Sequence, residues 1–256
     1  MNINKTWFRF NLDEIPNWQC PACGSASLNL KPEELQVYDS AETTRNRGED
    51  WFDADFVQYR FLAVLHCSNS RCNEIVSVVG TGKVEEDHVQ DYEGGWDQSY
   101  RDCFTPLFFE PCLVPISIPE NTPSDVKNAL NAAFSIIFAN RDAAVNQLRV
   151  SIEVLLDDLG IKSRREDGGF IPLGKRIDNH INGNLASFKD RLSAIQWIGN
   201  DGSHGNGAIS LDDLLASLEI IESLLIALYP SAQIDLDELA RKMIEKKKHK
   251  MTPSGE

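Results

Sequence analysis

The stretch YRFLAVLHCSNSRCNEIVSVVGTGKV, Tyr59 to Val84, decides how the N-terminal half reads. Tyr59 to Cys67 is a β-rich run, and Glu74 to Val84 is another, interrupted at Gly80-Thr81-Gly82. Between them CSNSRC sets two cysteines four residues apart among turn-forming residues. A strand entering and a strand leaving a two-cysteine turn is the pattern of a zinc-ribbon hairpin.

A second close pair lies upstream in CPAC, Cys20 and Cys23, followed at once by Gly24. In a reducing compartment, paired short spacings point to metal before disulfide. Four thiolates fill a tetrahedral shell and leave no open position, so Cys20, Cys23, Cys67 and Cys72 are the expected ligands of a structural Zn2+. His66 adjoins this set but is not needed to complete it. The 43 residues between Cys23 and Cys67 are too many for a simple turn and are expected to hold an inserted charged loop, Asp39 to Asp55, that ends at an aromatic strand. Cys103 and Cys112 have no close partner and read as small buried apolar residues.

Charge divides the chain unevenly. The whole carries a formal net charge of −14, and residues 1–120 hold 20 acidic against 9 basic residues. Such acidity repels a phosphate backbone, so bulk non-specific DNA binding is not expected. The one basic cluster is RKMIEKKKHK, Arg241 to Lys250, which reads as a solvated helix end. The start, MNINKTWFRFN, lacks the charged and apolar regions of a secretory signal, and no apolar run approaches the ~18 residues of a membrane span. The expectation is a cytoplasmic protein with no membrane partner.

From Asn121 onward the periodicity is helical. Thr122 is placed to cap a helix that begins at Pro123 and runs to about Asn140. Asn140 then caps a helix ending at Gly160, Pro172 opens a shorter one through Ile181, and Asn184 opens the helix LASFKDRLSAIQWIG. Ser210, followed by Asp212 and Asp213, caps the leucine-rich helix to Tyr229, and a polar helix is expected over Asp235 to Lys248. Packed helices with short connections form a bundle.

The stretch WIGNDGSHGNG, Trp197 to Gly207, reads as a connector between two of these helices. Gly199 is placed to end the incoming helix. Consecutive amides over Gly199, Asn200, Asp201, Gly202, Ser203 and His204 would make an anion-binding loop. The competing reading has Asn200 and His204 brace two helices through buried hydrogen bonds. Arg149 and Glu153, at i and i+4, suit an ion pair on the helix edge. If that edge meets the connector, Glu153 is placed to hold His204 and Arg149 to supply a cation.

The order RVSIE, LGKRID, LSAIQWIGNDGSHG and ISLDDLLASLEIIESLLIALY resembles the family called domain of unknown function 4145, a branch of the HEPN-like helical superfamily, over about Ala129 to Pro230. The resemblance implies a dimer through the bundle and a setting in bacterial or phage-related defence. Many HEPN-like proteins resemble metal-independent ribonucleases that carry an arginine shortly before a histidine. Here Asn200 stands where the polar partner would sit, and the nearest upstream arginine, Arg191, lies far back. Cleavage through a 2′-hydroxyl needs a proton acceptor and a fixed cation. His204 would be the first; Arg149 is the candidate for the second.

The sequence thus predicts an α+β chain with three parts. Residues 1–120 form a zinc-ribbon-like β module, 121–232 an all-α HEPN-like bundle, and 233–256 a peripheral helix and basic tail. The leading expectation is a non-enzymatic zinc-containing binding or regulatory protein, homodimeric through the bundle, with a protein or RNA as partner. The alternatives are a ribonuclease using His204, Asn200, Arg149 and Glu153, and an acidic protein-interaction adaptor.

Overall fold

The computed structural model describes residues 3–90, 96–204 and 209–230, together with Arg241 and Ile244. Its N-terminal half is built on four strands: β1 (Leu28–Asp39), β2 (Gln58–Cys67), β3 (Ile75–Gln90) and β4 (Trp96–Glu110). They lie side by side in chain order and every pair is antiparallel, so the sheet is a meander. One face is apolar because alternate residues point the same way: Phe61, Ala63 and Leu65 on β2 are buried with Val76 and Val78 on β3. Phe10 adds a short bridge to Phe104 at the β4 edge.

This corrects the zinc-ribbon-like module. Ahead of the expected loop, Asp39 to Asp55, lies a strand the ribbon reading did not include: β1 pairs with β2 from Leu28↔Cys67 to Asp39↔Tyr59. Only a short helix, α1 (Ala41–Asn46), and one turn of 3-10 helix at Ala54–Phe56 remain between those strands. Nor does β3 break at Gly80-Thr81-Gly82. A side chain at Gly80 would overlap the Thr105 carbonyl and the Phe61 ring, and one at Gly82 would lie 2.8 Å from the Phe104 ring. The glycines leave room for those rings while the strand continues.

Five further helices follow: α2 (Ser124–Phe134), α3 (Arg141–Asp158), α4 (Leu173–His180), α5 (Lys189–His204) and α6 (Leu211–Leu228). Asn140 caps α3 by accepting the Ala143 amide at 3.0 Å, and Gly160 ends it with φ +80°. Ser210 and Asp213 form a reciprocal capping box on α6. At α2 the cap position falls to Pro123, and Thr122 is buried one residue earlier. The helix ends at Phe134, short of Asn140. A 3-10 turn, Gly183–Phe188, occupies the stretch after Asn182 and delays α5 to Lys189. The helix expected over Asp235 to Lys248 lies outside the described residues, except for Arg241 and Ile244.

The chain is thus α+β, a four-stranded antiparallel sheet followed by a helical region. Buried residues of both halves make one continuous cluster, from Phe61 and Val78 in the sheet to Leu148 and Leu218 in the helices. Phe138, after α2, joins them, with its ring 4.7 Å from Phe109 and 4.9 Å from Phe8. Apolar area removed from water contributes about 25 cal/mol per Å², so this seam helps hold the halves together. Among the described residues no helix is long and apolar enough to cross a membrane.

Candidate functional site

The four cysteines meet at the end of the sheet where β1 begins and β2 ends. Cys20 precedes a tight turn closed by Gly24 N–H to Cys20 O (2.8 Å) and Cys20 N–H to Ala26 O (2.8 Å), with Gly24 at φ +62°. Such a positive φ is open to glycine at little cost. The turn feeds β1 directly, since the Leu28 amide donates to Trp18 O. The second turn is closed by Cys67 N–H to Glu74 O (3.0 Å) and Cys72 N–H to Asn69 O (2.9 Å), with Asn73 at φ 54°. Ser68 N–H then donates to Ser27 O at 2.9 Å and ties one turn to the other.

The four Sγ atoms lie within 4.8 Å of one another. Cys20 and Cys72 approach to 3.8 Å, and Cys23 and Cys67 to 3.7 Å. A zinc ion about 2.3 Å from each of four tetrahedral sulfurs would set those sulfurs about 3.8 Å apart. The same separations are far beyond a disulfide of about 2.05 Å, and all six cysteines are free. The cluster could therefore hold a metal ion with little movement.

Its electrostatics are uneven. The Ser25 amide leads the hydrogen bonds that lower the Cys23 pKa to about 6, against an opposing burial effect. Burial raises the Cys67 thiol to about 12, although the Asn69 amide points at its sulfur from 3.4 Å. His66 Nε2 lies 2.6 Å from Glu34 Oε2, without hydrogen-bond geometry between them, and is not one of the four clustered ligand atoms. Cys103 is buried, on a bowl of about 720 Å³ whose wall includes Arg9, Glu14, Glu85 and Arg101. The charges there largely cancel, because Arg9 pairs with Glu85 and Arg101 with Asp87. Cys112 is half-buried, and burial raises its pKa.

The stretch Trp197 to His204 is not a connector. It forms the last two turns of α5, which runs to His204, and Gly199 does not end the helix. Its glycines answer to α3: a side chain at Gly199 would overlap the Arg149 Cβ, and one at Gly202 would lie 2.5 Å from Asp142 O. An anion nest needs unpaired amides, whereas a helix C-terminal turn presents carbonyls and a partial negative charge. Gly205 and Gly207 lie outside the described residues, as does the His204 side chain.

Two of the expected groupings do come together. Arg149 Nη1 meets Glu153 Oε1 at 2.5 Å along α3, and the same arginine packs on Gly199 of α5. Asn146, which sequence reasoning passed over, joins the helices: its Oδ1 lies 2.8 Å from Ser203 Oγ and accepts Arg149 Nε at 3.3 Å. Asn200 is half-buried and Asp201 exposed.

Arg176 was also missed. It is 1% exposed, and it donates to Glu153 O, Ile161 O and Asp157 Oδ1, locking α4 to the end of α3. Its place in LGKRID, between Leu173 and Ile177 on the apolar side of a short helix, was the available signal.

Comparison with known proteins gives two regions. Residues 8–109 match the model described as Domain of unknown function (DUF8608), and residues 131–250 match Domain of unknown function (DUF4145). No curated protein and no solved structure matches the chain. A DUF8608-matching region that carries the four clustered cysteines thus precedes a DUF4145-matching region that carries α3 to α6.

Proposed function

We propose that the chain is a non-enzymatic, zinc-containing binding or regulatory protein. The observation that carries this reading is the cluster of four Sγ atoms within 4.8 Å. Four thiolates complete the shell of a zinc ion, so the metal would bind no water or substrate and would act by fixing the two turns. The turns in turn fix the start of β1 against the end of β2. The defence setting rests on the family resemblance alone, and a homodimer through the helices belongs to the same proposal.

The test is elemental analysis of the purified chain with and without Cys20→Ser. One equivalent of zinc in the wild type, lost in the variant, supports the reading. A folded wild type without metal, insensitive to chelator, overturns it.

A second reading, a ribonuclease centred on His204, draws on the packing of Arg149 against Gly199, a little over one helical turn before His204. That contact is made by the arginine stem while its guanidinium pairs with Glu153, so the reading requires Arg149 to leave Glu153 for the phosphate. Cleavage of cellular RNA in the presence of EDTA, abolished by His204→Ala with folding intact, would establish it. No cleavage by either protein would remove it.

A further inference from the structure

The segment EDWFDADF, Glu49 to Phe56, crosses from α1 to β2 and belongs neither to the cysteine cluster nor to the core. Its three rings pack on one another: Trp51 lies 5.9 Å from Phe52 and 6.1 Å from Phe56, and Phe52 lies 6.1 Å from Phe56. Yet Trp51 is 59% exposed and Phe56 50%. The backbone beneath them is fixed. Phe52 N–H donates to Glu49 O, Phe56 N–H to Asp53 O, and Val57 N–H to Ala54 O. Thr43 pins the far end, exchanging hydrogen bonds with both the amide and the carbonyl of Gln58. The rings are thus held outward by an ordered knuckle.

Four exposed carboxylates, Glu49, Asp50, Asp53 and Asp55, surround the rings, and none forms an ion pair among the described residues. The two arginines just before them in the sequence do not neutralise them. Arg47 is held by both oxygens of Asp39 at 2.8 and 2.7 Å, and Arg45 Nε donates to Ala41 O. An exposed aromatic cluster marks an interaction surface. Electron-rich ring faces beside unpaired carboxylates fit a cation carried on an apolar stem, as in lysine or arginine. Phosphate is excluded by the same charges.

We infer that this knuckle docks a lysine- and arginine-rich segment of a partner protein. The inference deepens the binding-protein reading above and rests on it. The stems of the basic side chains lie along Trp51 and Phe56, and their charges face Asp50 and Asp55. Attraction between the acidic N-terminal half and the partner speeds encounter, while the rings supply selectivity.

The test is a fluorescence-anisotropy titration of a labelled dodecapeptide of alternating lysine and serine against the zinc-analysed full chain, at low and at physiological salt. The expected result is saturable, salt-sensitive binding. It weakens roughly tenfold or more in Trp51→Ala/Phe56→Ala and in Asp50→Asn/Asp55→Asn, and is unchanged in Trp197→Ala, an exposed tryptophan on α5. The altered side chains are exposed, and matching circular dichroism and melting curves confirm folding.

Absence of saturable binding overturns the inference, as does loss in the carboxylate variant with none in the aromatic one, which would reduce the effect to bulk acidity. Concentration-dependent self-association abolished by Trp51→Ala would assign the knuckle to a second copy and also overturns it. Failure of the zinc reading shows separately, as a metal-free wild type, whereas failure here shows as a zinc-loaded chain that ignores the peptide.

Discussion

Gly199 of α5 sits so close to Arg149 of α3 that any side chain on the glycine would overlap the arginine Cβ. The two helices meet backbone to side chain at that point, and Gly202 repeats the close approach about one turn later, where a side chain would lie 2.5 Å from Asp142 O. Alanine in mid-helix ordinarily gains up to about 1 kcal/mol over glycine. Here overpacking of about 1–3 kcal/mol outweighs that gain. Gly199→Ala and Gly202→Ala should both destabilise, because the Arg149 Cβ and the Asp142 carbonyl are each fixed by the α3 backbone and cannot swing aside. Urea denaturation of both variants measures this, and a stabilised Gly202→Ala would refute the close packing.

Arg176 presents a different dependence. Its buried guanidinium satisfies the carbonyls of Glu153 and Ile161 and pairs with Asp157 at 2.9 Å. Arg176→Met keeps the bulk and removes every donor, leaving carbonyls unsatisfied and Asp157 without its cation. The expected loss is about 3 kcal/mol, readable as a lower denaturation midpoint with the slope unchanged.

Removing any one of the four clustered cysteines should act on metal and stability together. Cys67→Ser is expected to abolish zinc retention and lower Tm, whereas Cys112→Ser, outside the cluster, should do neither. Because the ligands are thiolates, metal affinity falls as pH falls, and acid should release the metal before the chain unfolds. Zinc release monitored against pH beside a melting curve checks the order.

Glu222 supplies a pH dependence of its own. It is 8% exposed on α6, and Ser117 N–H donates to its Oε1 at 2.7 Å, across the chain from the segment after β4. Burial works to raise its pKa, but hydrogen bonds led by the Ser117 amide prevail and hold the carboxyl below its ordinary value. A depressed folded-state pKa contributes stability above the unfolded value of about 4.3, and that stability is lost as pH falls through the folded value. Glu222→Gln should therefore cost about 1–2 kcal/mol at neutral pH, with the difference from wild type shrinking below pH ~4. Melting curves from pH 3 to 7 would show it; a constant gap would contradict it.

Local chemistry was legible in the sequence because it depends on near neighbours. The two cysteine turns, the Asn140 and Ser210 caps, the stop at Gly160 and the helical stripes of α3 and α6 all follow from residues a few positions apart. What lies between distant segments did not. β1 was not legible, since its central residues are exposed and polar and only its pairing with β2 makes it a strand. That pairing brings Cys20 and Cys23 to Cys67 and Cys72, so the sequence named the four cysteines while the sheet brought them together. WIGNDGSHGNG carried the opposite lesson: glycine favours turns in isolation, but contact with α3 makes Gly199 and Gly202 the only residues that fit inside a helix there. Propensity is a property of the chain, and close approach is a property of the packed molecule.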